Sequence, residues 1–224
     1  MNPDDFDTLL FDLDGTLVDT AADLLGTLDD LRAERGLAPM AHSLPPALAA
    51  RGGRGILAAG FPHALATELE ALLPEYLARY ALRIARHSRP YPGVESMLDA
   101  AHQRGWKLGI VTNKPEQLAK QLLQALGWEH RFGALIGGDT LAVRKPAPEP
   151  VIEACRRLGS TAPRALMIGD DARDIEAGRA AGCQRLIACA YGYVEMPEAM
   201  ADWGAHLIVD SSLALAELLS AQRP

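Results

Sequence analysis

Two aspartates, Asp12 and Asp14, stand two residues apart. They follow the apolar run Thr8-Leu9-Leu10-Phe11 and precede Gly15-Thr16. Other polar groups stand behind similar runs: Thr112 and Asn113 after Lys107 to Val111, and Asp170, Asp171 and Asp174 after Ala165 to Gly169. Lys145 lies in the loop segment Arg144-Lys145-Pro146. A carboxylate can attack phosphorus and so split one difficult displacement into two easier ones. A second carboxylate can protonate the leaving oxygen and later activate water. Converging carboxylates repel one another unless a cation lies among them, and hard oxygen donors without His or Cys point to Mg²⁺. Lys and Thr beside them can hold the remaining phosphate oxygens. Gly15 permits a tight turn that brings backbone N–H groups towards a phosphate.

Each cluster also has a plainer reading. Asp12-Leu13-Asp14-Gly15 can be a surface turn. Thr112-Asn113 can cap a helix ahead of Pro115. Lys145 can be a solvated side chain. Asp170, Asp171 and Asp174 can cap and support a helix from Ala172. The coincidence of all four at the ends of apolar runs favours the chemical reading, because a doubly wound sheet binds ligands beyond the carboxyl ends of its strands.

The elements that must position these groups are readable from pattern. Strands are expected at Thr8–Phe11, Lys107–Val111, Ala134–Gly137, Ala165–Gly169, Arg185–Cys189 and His206–Val209, each short and apolar enough to be buried on both faces. Helices are expected over Val94–Arg104, from Pro115 to Gly127, and over Ile175–Ala181 with Gly182 as the stop. Alternation of this kind builds a parallel sheet covered by helices: an α/β, doubly wound, Rossmann-like core. Residues 19–86 break the rhythm. Leu24, Leu28 and Leu31 mark one helix and Leu65, Leu69, Leu72, Tyr76 and Tyr80 another, with Pro74 interrupting or restarting it. The expectation is a helical cap, residues 19–86, inserted after the first strand of a core made of 1–18 and 87–224. His87 to Gly93 is the hinge back to the core.

Composition narrows the function classes. Of 224 residues, 49% are hydrophobic and 23% charged, which suits a globular core. A net charge of −7 argues against a nucleic-acid partner. Three cysteines without CxxC spacing suit a reducing cytoplasm. No apolar run reaches the ~20 residues needed to span a bilayer, and the acidic N-terminus is no signal segment. The expectation is a cytoplasmic protein, monomer or homodimer, without a membrane partner.

With these residues in place, the sequence resembles the haloacid dehalogenase superfamily of phosphatases over nearly its whole length. Asp12-Leu13-Asp14-Gly15-Thr16-Leu17 resembles the first family motif, Val111 to Pro115 the second, Lys145-Pro146 the third, and Gly169 to Ile175 the fourth. The resemblance implies that Asp12 is nucleophile and metal ligand. It implies that Asp14 is general acid/base and binds Mg²⁺ through its backbone carbonyl, and that Asp170 completes the metal site. Thr112 and Asn113 would hold the phosphoryl group and Lys145 would neutralise it, with Asp171 and Asp174 supporting. A carboxylate at Asp14 favours phosphate chemistry over dehalogenation. The segments Gly137 to Pro146 and Tyr191-Gly192-Tyr193 are similar to phosphoglycolate phosphatases, and a related branch acts on N-acetylmuramic acid 6-phosphate. Both substrates carry a carboxylate that Arg51 or Arg54, in the cap segment Arg51-Gly52-Gly53-Arg54, can pair with. The other reading of that segment is a Gly-rich turn with solvated arginines.

A phosphosugar mutase and a non-catalytic binding protein on the same fold remain the alternatives. Phosphonate hydrolysis needs a Schiff-base lysine, and residues 19–86 contain no Lys.

Overall fold

The computed structural model describes residues 6–220. Six parallel strands form one sheet: β1 (Thr8–Phe11), β4 (Lys107–Val111), β5 (Ala134–Ile136), β6 (Ala165–Gly169), β7 (Arg185–Cys189) and β8 (Leu207–Val209). Their order across the sheet is β5-β4-β1-β6-β7-β8. β1 pairs with β4 on one side and β6 on the other, with Leu9 level with both Leu108 and Leu166. The chain therefore winds outward in both directions from β1, and the switch point lies where Asp12 leaves the sheet.

Strand side chains alternate between two apolar layers. Leu9, Phe11, Ile110, Ile168 and Ile187 pack on one face with α4 (Val94–Gln103), α5 (Glu116–Ala125) and α8 (Ser212–Ser220). Leu10, Val111, Met167 and Ala188 pack on the other with α6 (Glu149–Arg157) and α7 (Ala172–Ala181). The expected burial of strands on both faces fails at β8, where Leu207 and Ile208 are exposed. β8 is the sheet edge and pairs only with β7.

Between β1 and β4 the chain makes a helical insert: α1 (Ala21–Ala33), α2 (Gly52–Gly60) and α3 (Ala66–Arg83). Its apolar cluster joins Leu24, Leu28, Ile56, Leu57, Tyr76 and Tyr80, with Leu118 and Tyr193 of the core against it. The two linkers pair as a short antiparallel ribbon, β2 (Val18–Asp19) with β3 (Arg89–Pro90).

Three expectations need correction. α3 runs unbroken through Pro74. The lost N–H costs ~3 kcal/mol in a helix interior, and burial of Tyr76 and Tyr80 on the same helix outweighs it. Arg51-Gly52-Gly53-Arg54 is not an open turn, because Gly52 begins α2. Ile56 and Leu57, both fully buried, hold that weak helix former in place. α7 starts at Ala172 rather than Ile175, because Asp171 and Asp174 form a reciprocal capping box that secures its first turn.

Candidate active site

Asp12 extends the β1 ladder by donating its N–H to the Ile168 carbonyl at 2.9 Å, which fixes its side chain at the mouth of the sheet. Lys145 Nζ donates to Asp12 Oδ1 at 2.8 Å, to Asp174 Oδ1 at 2.6 Å and to the Val111 carbonyl. Burial disfavours its ammonium, but Asp12 and Asp174 outweigh that cost and raise its pKa. Thr16 Oγ1 donates to Asp170 Oδ1 and the Tyr193 N–H to Asp170 Oδ2, both at 2.7 Å. Even so, burial together with the charges of Asp12 and Asp174 raises the Asp170 pKa well above the carboxylate range. Gly15 is required where this loop turns: its φ is +88°, and a Cβ there would meet Asp170 Oδ2 at 2.1 Å.

Asp12, Asp170 and Asp174 each bring one carboxylate oxygen within 4.8 Å of the others. Lys145 supplies one positive charge against three carboxylates. The excess negative charge and the all-oxygen donor set fit a hard divalent cation such as Mg²⁺. The Asp14 carboxylate stands apart from this cluster. It accepts from Lys114 Nζ at 3.0 and 3.1 Å and from Thr20 Oγ1 at 2.7 Å. Asp174 is the cluster's third carboxylate, and only the Asp14 backbone carbonyl is left for the ligand role that the resemblance implies.

The remaining expected residues gather at the same mouth. Thr112 is buried, and its hydroxyl accepts from the Lys114 N–H at 3.2 Å. The Asn113 amide donates to the Lys145 carbonyl at 3.0 Å, so it holds the lysine loop, while its Oδ1 is buried without a hydrogen-bond partner among the described residues. Asp171 lies outside the acidic cluster. It caps α7 and pairs with Arg173 at 2.7 Å. A cavity of about 210 Å³ lies between this mouth and the insert, and residues 51–54 line its far wall. Arg51 Nε pairs with Glu195 of the core at 2.5 Å, and Arg54 Nε with Glu70 of α3 at 2.7 Å. His87 and Ser88 belong to the hinge: their N–H groups and the Ser88 hydroxyl donate to the fully buried Asp23 carboxylate.

Several contributors escaped the sequence reading. Lys114, buried, also donates to Tyr80 Oη at 2.7 Å and lies 4.4 Å from that ring's centroid. Its position inside Thr112-Asn113-Lys114-Pro115 was the available signal. Tyr193 Oη donates to Asp19 and accepts the N–H groups of Thr20 and Ala21, tying the loop after β7 to the start of α1. Arg173 Nη2 reaches the Ala50 carbonyl of the insert at 2.8 Å.

A doubly wound sheet with a lysine-bridged acidic cluster at its switch point fits an α/β enzyme that handles phosphoryl groups. The chain belongs to the haloacid dehalogenase-like hydrolase family, whose model matches residues 9–188, and it is a phosphatase of that family. It is 44% identical over 203 residues to a phosphoglycolate phosphatase of Xylella fastidiosa, covering 91% of this chain and 88% of that protein. It is 41% identical over 212 residues to an N-acetylmuramic acid 6-phosphate phosphatase of Pseudomonas aeruginosa, covering 94% and 93%. A crystal structure of a predicted phosphoglycolate phosphatase from Haemophilus somnus superposes with a TM-score of 0.83 at 27% identity, covering 98% of this chain and 99% of that one. No helix among the described residues is long and apolar enough to cross a membrane.

Proposed function

We propose that the protein is a Mg²⁺-dependent phosphomonoesterase that hydrolyses a small phosphorylated metabolite, 2-phosphoglycolate first among them, through an aspartyl-phosphate on Asp12. The carrying observation is the contact of Lys145 with Asp12 inside the acidic cluster. Asp12 attacks phosphorus, the bond from phosphorus to the ester oxygen breaks, and Asp14 gives that oxygen its proton. Asp14 then takes a proton from water, which attacks the phosphoryl group and frees phosphate and the Asp12 carboxylate. Lys145 balances Asp12 throughout, and Thr112 and Asn113 with the Gly15 turn border the phosphoryl position. Asp12, Asp170 and the Asp14 carbonyl would hold Mg²⁺, which would supply charge neutralisation for the transferring oxygens. The helical insert acts as a cap that excludes bulk water.

Measured phosphate release from a generic aryl phosphate tests this reading. Wild type is expected to require Mg²⁺ and to lose activity with a chelator, and Asp12→Asn to fall by on the order of 10³-fold or more. Equal activity in Asp12→Asn would overturn the mechanism. Isomerised sugar phosphate in place of free phosphate would instead indicate a mutase.

N-acetylmuramic acid 6-phosphate is the second substrate reading, supported by the Pseudomonas aeruginosa relative. A cavity of about 210 Å³ favours the smaller ligand, since pockets for larger ones run to ~300–1,000 Å³. The net charge of −7 supports an enzyme that does not engage nucleic acid, and the unpaired cysteines support a cytoplasmic one.

A further inference from the structure

The mouth of the sheet holds two lysines in different positions. Lys145 touches Asp12 and so stands where phosphorus is attacked. Lys114 touches Asp14 and so stands where the leaving oxygen collects its proton. We infer that Lys114, with the Tyr80 hydroxyl, is the receptor for a carboxylate on the carbon next to the leaving oxygen, so that the site selects phosphate esters of 2-hydroxy acids. The inference rests on the proposed roles of Asp12 and Asp14 in ester hydrolysis.

Three observations carry it. First, Lys114 lines the cavity, with its ammonium shared among both Asp14 carboxylate oxygens and the Tyr80 oxygen. Second, Tyr80 Oη accepts from Lys114, which leaves its own proton without a partner among the described residues. Burial keeps that phenol protonated, with its pKa pushed up to about 12. Two donors, one of them cationic, thus border the space beside Asp14. Third, the other guanidiniums at the cavity wall on the insert side are engaged elsewhere, Arg51 by Glu195 and Arg54 by Glu70.

The position separates the two substrate readings. In 2-phosphoglycolate the carboxylate is one bond from the carbon that bears the leaving oxygen, within reach of a group already in contact with Asp14. In a sugar 6-phosphate that carries a lactyl ether, the carboxylate lies across the ring from the ester. Lys114 would then face a sugar hydroxyl and gain nothing from its charge.

The test compares kcat/KM for 2-phosphoglycolate and for 2-hydroxyethyl phosphate, which has an equally poor alkoxide leaving group and no carboxylate. Wild type is expected to prefer 2-phosphoglycolate by at least about tenfold, from one charge-assisted hydrogen bond. Lys114→Met should abolish that preference, and Lys114→Arg should restore part of it. Inhibition by free glycolate should weaken in parallel in Lys114→Met, which reads binding apart from proton transfer. If both esters lose equally in Lys114→Met, Lys114 only positions Asp14 and the inference falls. A wild type without preference for the carboxylate also overturns it. Neither result touches the parent mechanism, which Asp12→Asn tests separately. If Lys114→Met does not fold, Tyr80→Phe carries the test. It should raise KM about threefold more for 2-phosphoglycolate than for 2-hydroxyethyl phosphate, and an equal change for both would reject the assignment.

Discussion

The mouth of the sheet and the helical insert use charge in opposite ways. At the mouth, Asp12, Asp170, Asp174, Lys114 and Lys145 are buried, and every one is held by a named partner across strands. In the insert, Arg35, Arg54 and Arg79 pair with Glu75, Glu70 and Glu34 on partly exposed helix surfaces. A buried ion cluster is costly to assemble and fails when one member is removed. Exposed pairs contribute little and are screened by salt. The comparison teaches that chemistry is committed in the core, where an error costs most, while the insert is free to vary in shape around a fixed reaction.

The sharpest way to break that contrast is Lys145→Met. It leaves Asp12 and Asp174 without their shared cation. Activity should fall by on the order of 10²–10³-fold, the scale for loss of one preorganised electrostatic group. Stability in denaturant should fall by about 3 kcal/mol. Saturating Mg²⁺ should recover part of that stability by binding the native state alone. A variant with unchanged unfolding midpoint would show that the cluster is not energetically coupled.

The hinge sits between the two regimes, and Asp23→Asn tests it. Asp23 lies in α1 and is fully buried, yet it receives His87 N–H, Ser88 N–H and the Ser88 hydroxyl, with Arg83 Nε at 3.9 Å. An amide replaces one acceptor oxygen by a donor that must face other donors. The expected cost is about 2 kcal/mol in a denaturant titration. A change within error would mean that the hinge is held by the β2–β3 ribbon alone.

How much of this was legible followed the same division. The strands and the residues Asp12, Thr112 and Asp170 could be read because each obeys a local rule, a short apolar run and then a polar end, whereas Lys145 lies in a loop and could be read only through the family resemblance of Lys145-Pro146. Asp171 and Asp174 were readable as helix caps by a local rule as well. The Lys114 contacts were not, because they join residues 34 and 100 positions apart, and no local pattern records such a meeting. α2 was hidden because Gly52, Gly53 and Gly55 carry no helix propensity, and only the burial of Ile56 and Leu57 makes that segment helical. α6 was missed because its buried residues Val151, Ala154 and Cys155 sit among charged ones behind Pro148 and Pro150.

The smallest expected effects come from the two cap arginines, and their difference is informative. Arg51 pairs with Glu195, joining insert to core, whereas the Arg54 pair with Glu70 stays within the insert. Both pairs are largely exposed, so neither Arg51→Ala nor Arg54→Ala should shift the unfolding midpoint measurably. Arg51→Ala should still raise KM, by about threefold, because it releases one of the links that hold the insert over the mouth, alongside Arg173 to the Ala50 carbonyl and Lys114 to Tyr80. That difference should shrink at high salt, because screening weakens the pair in the wild type and the variant has no pair to lose. Arg54→Ala should leave KM unchanged for any ester. A larger effect at Arg54 than at Arg51, confined to substrates that carry a carboxylate, would move carboxylate recognition from Lys114 in the core to the cap.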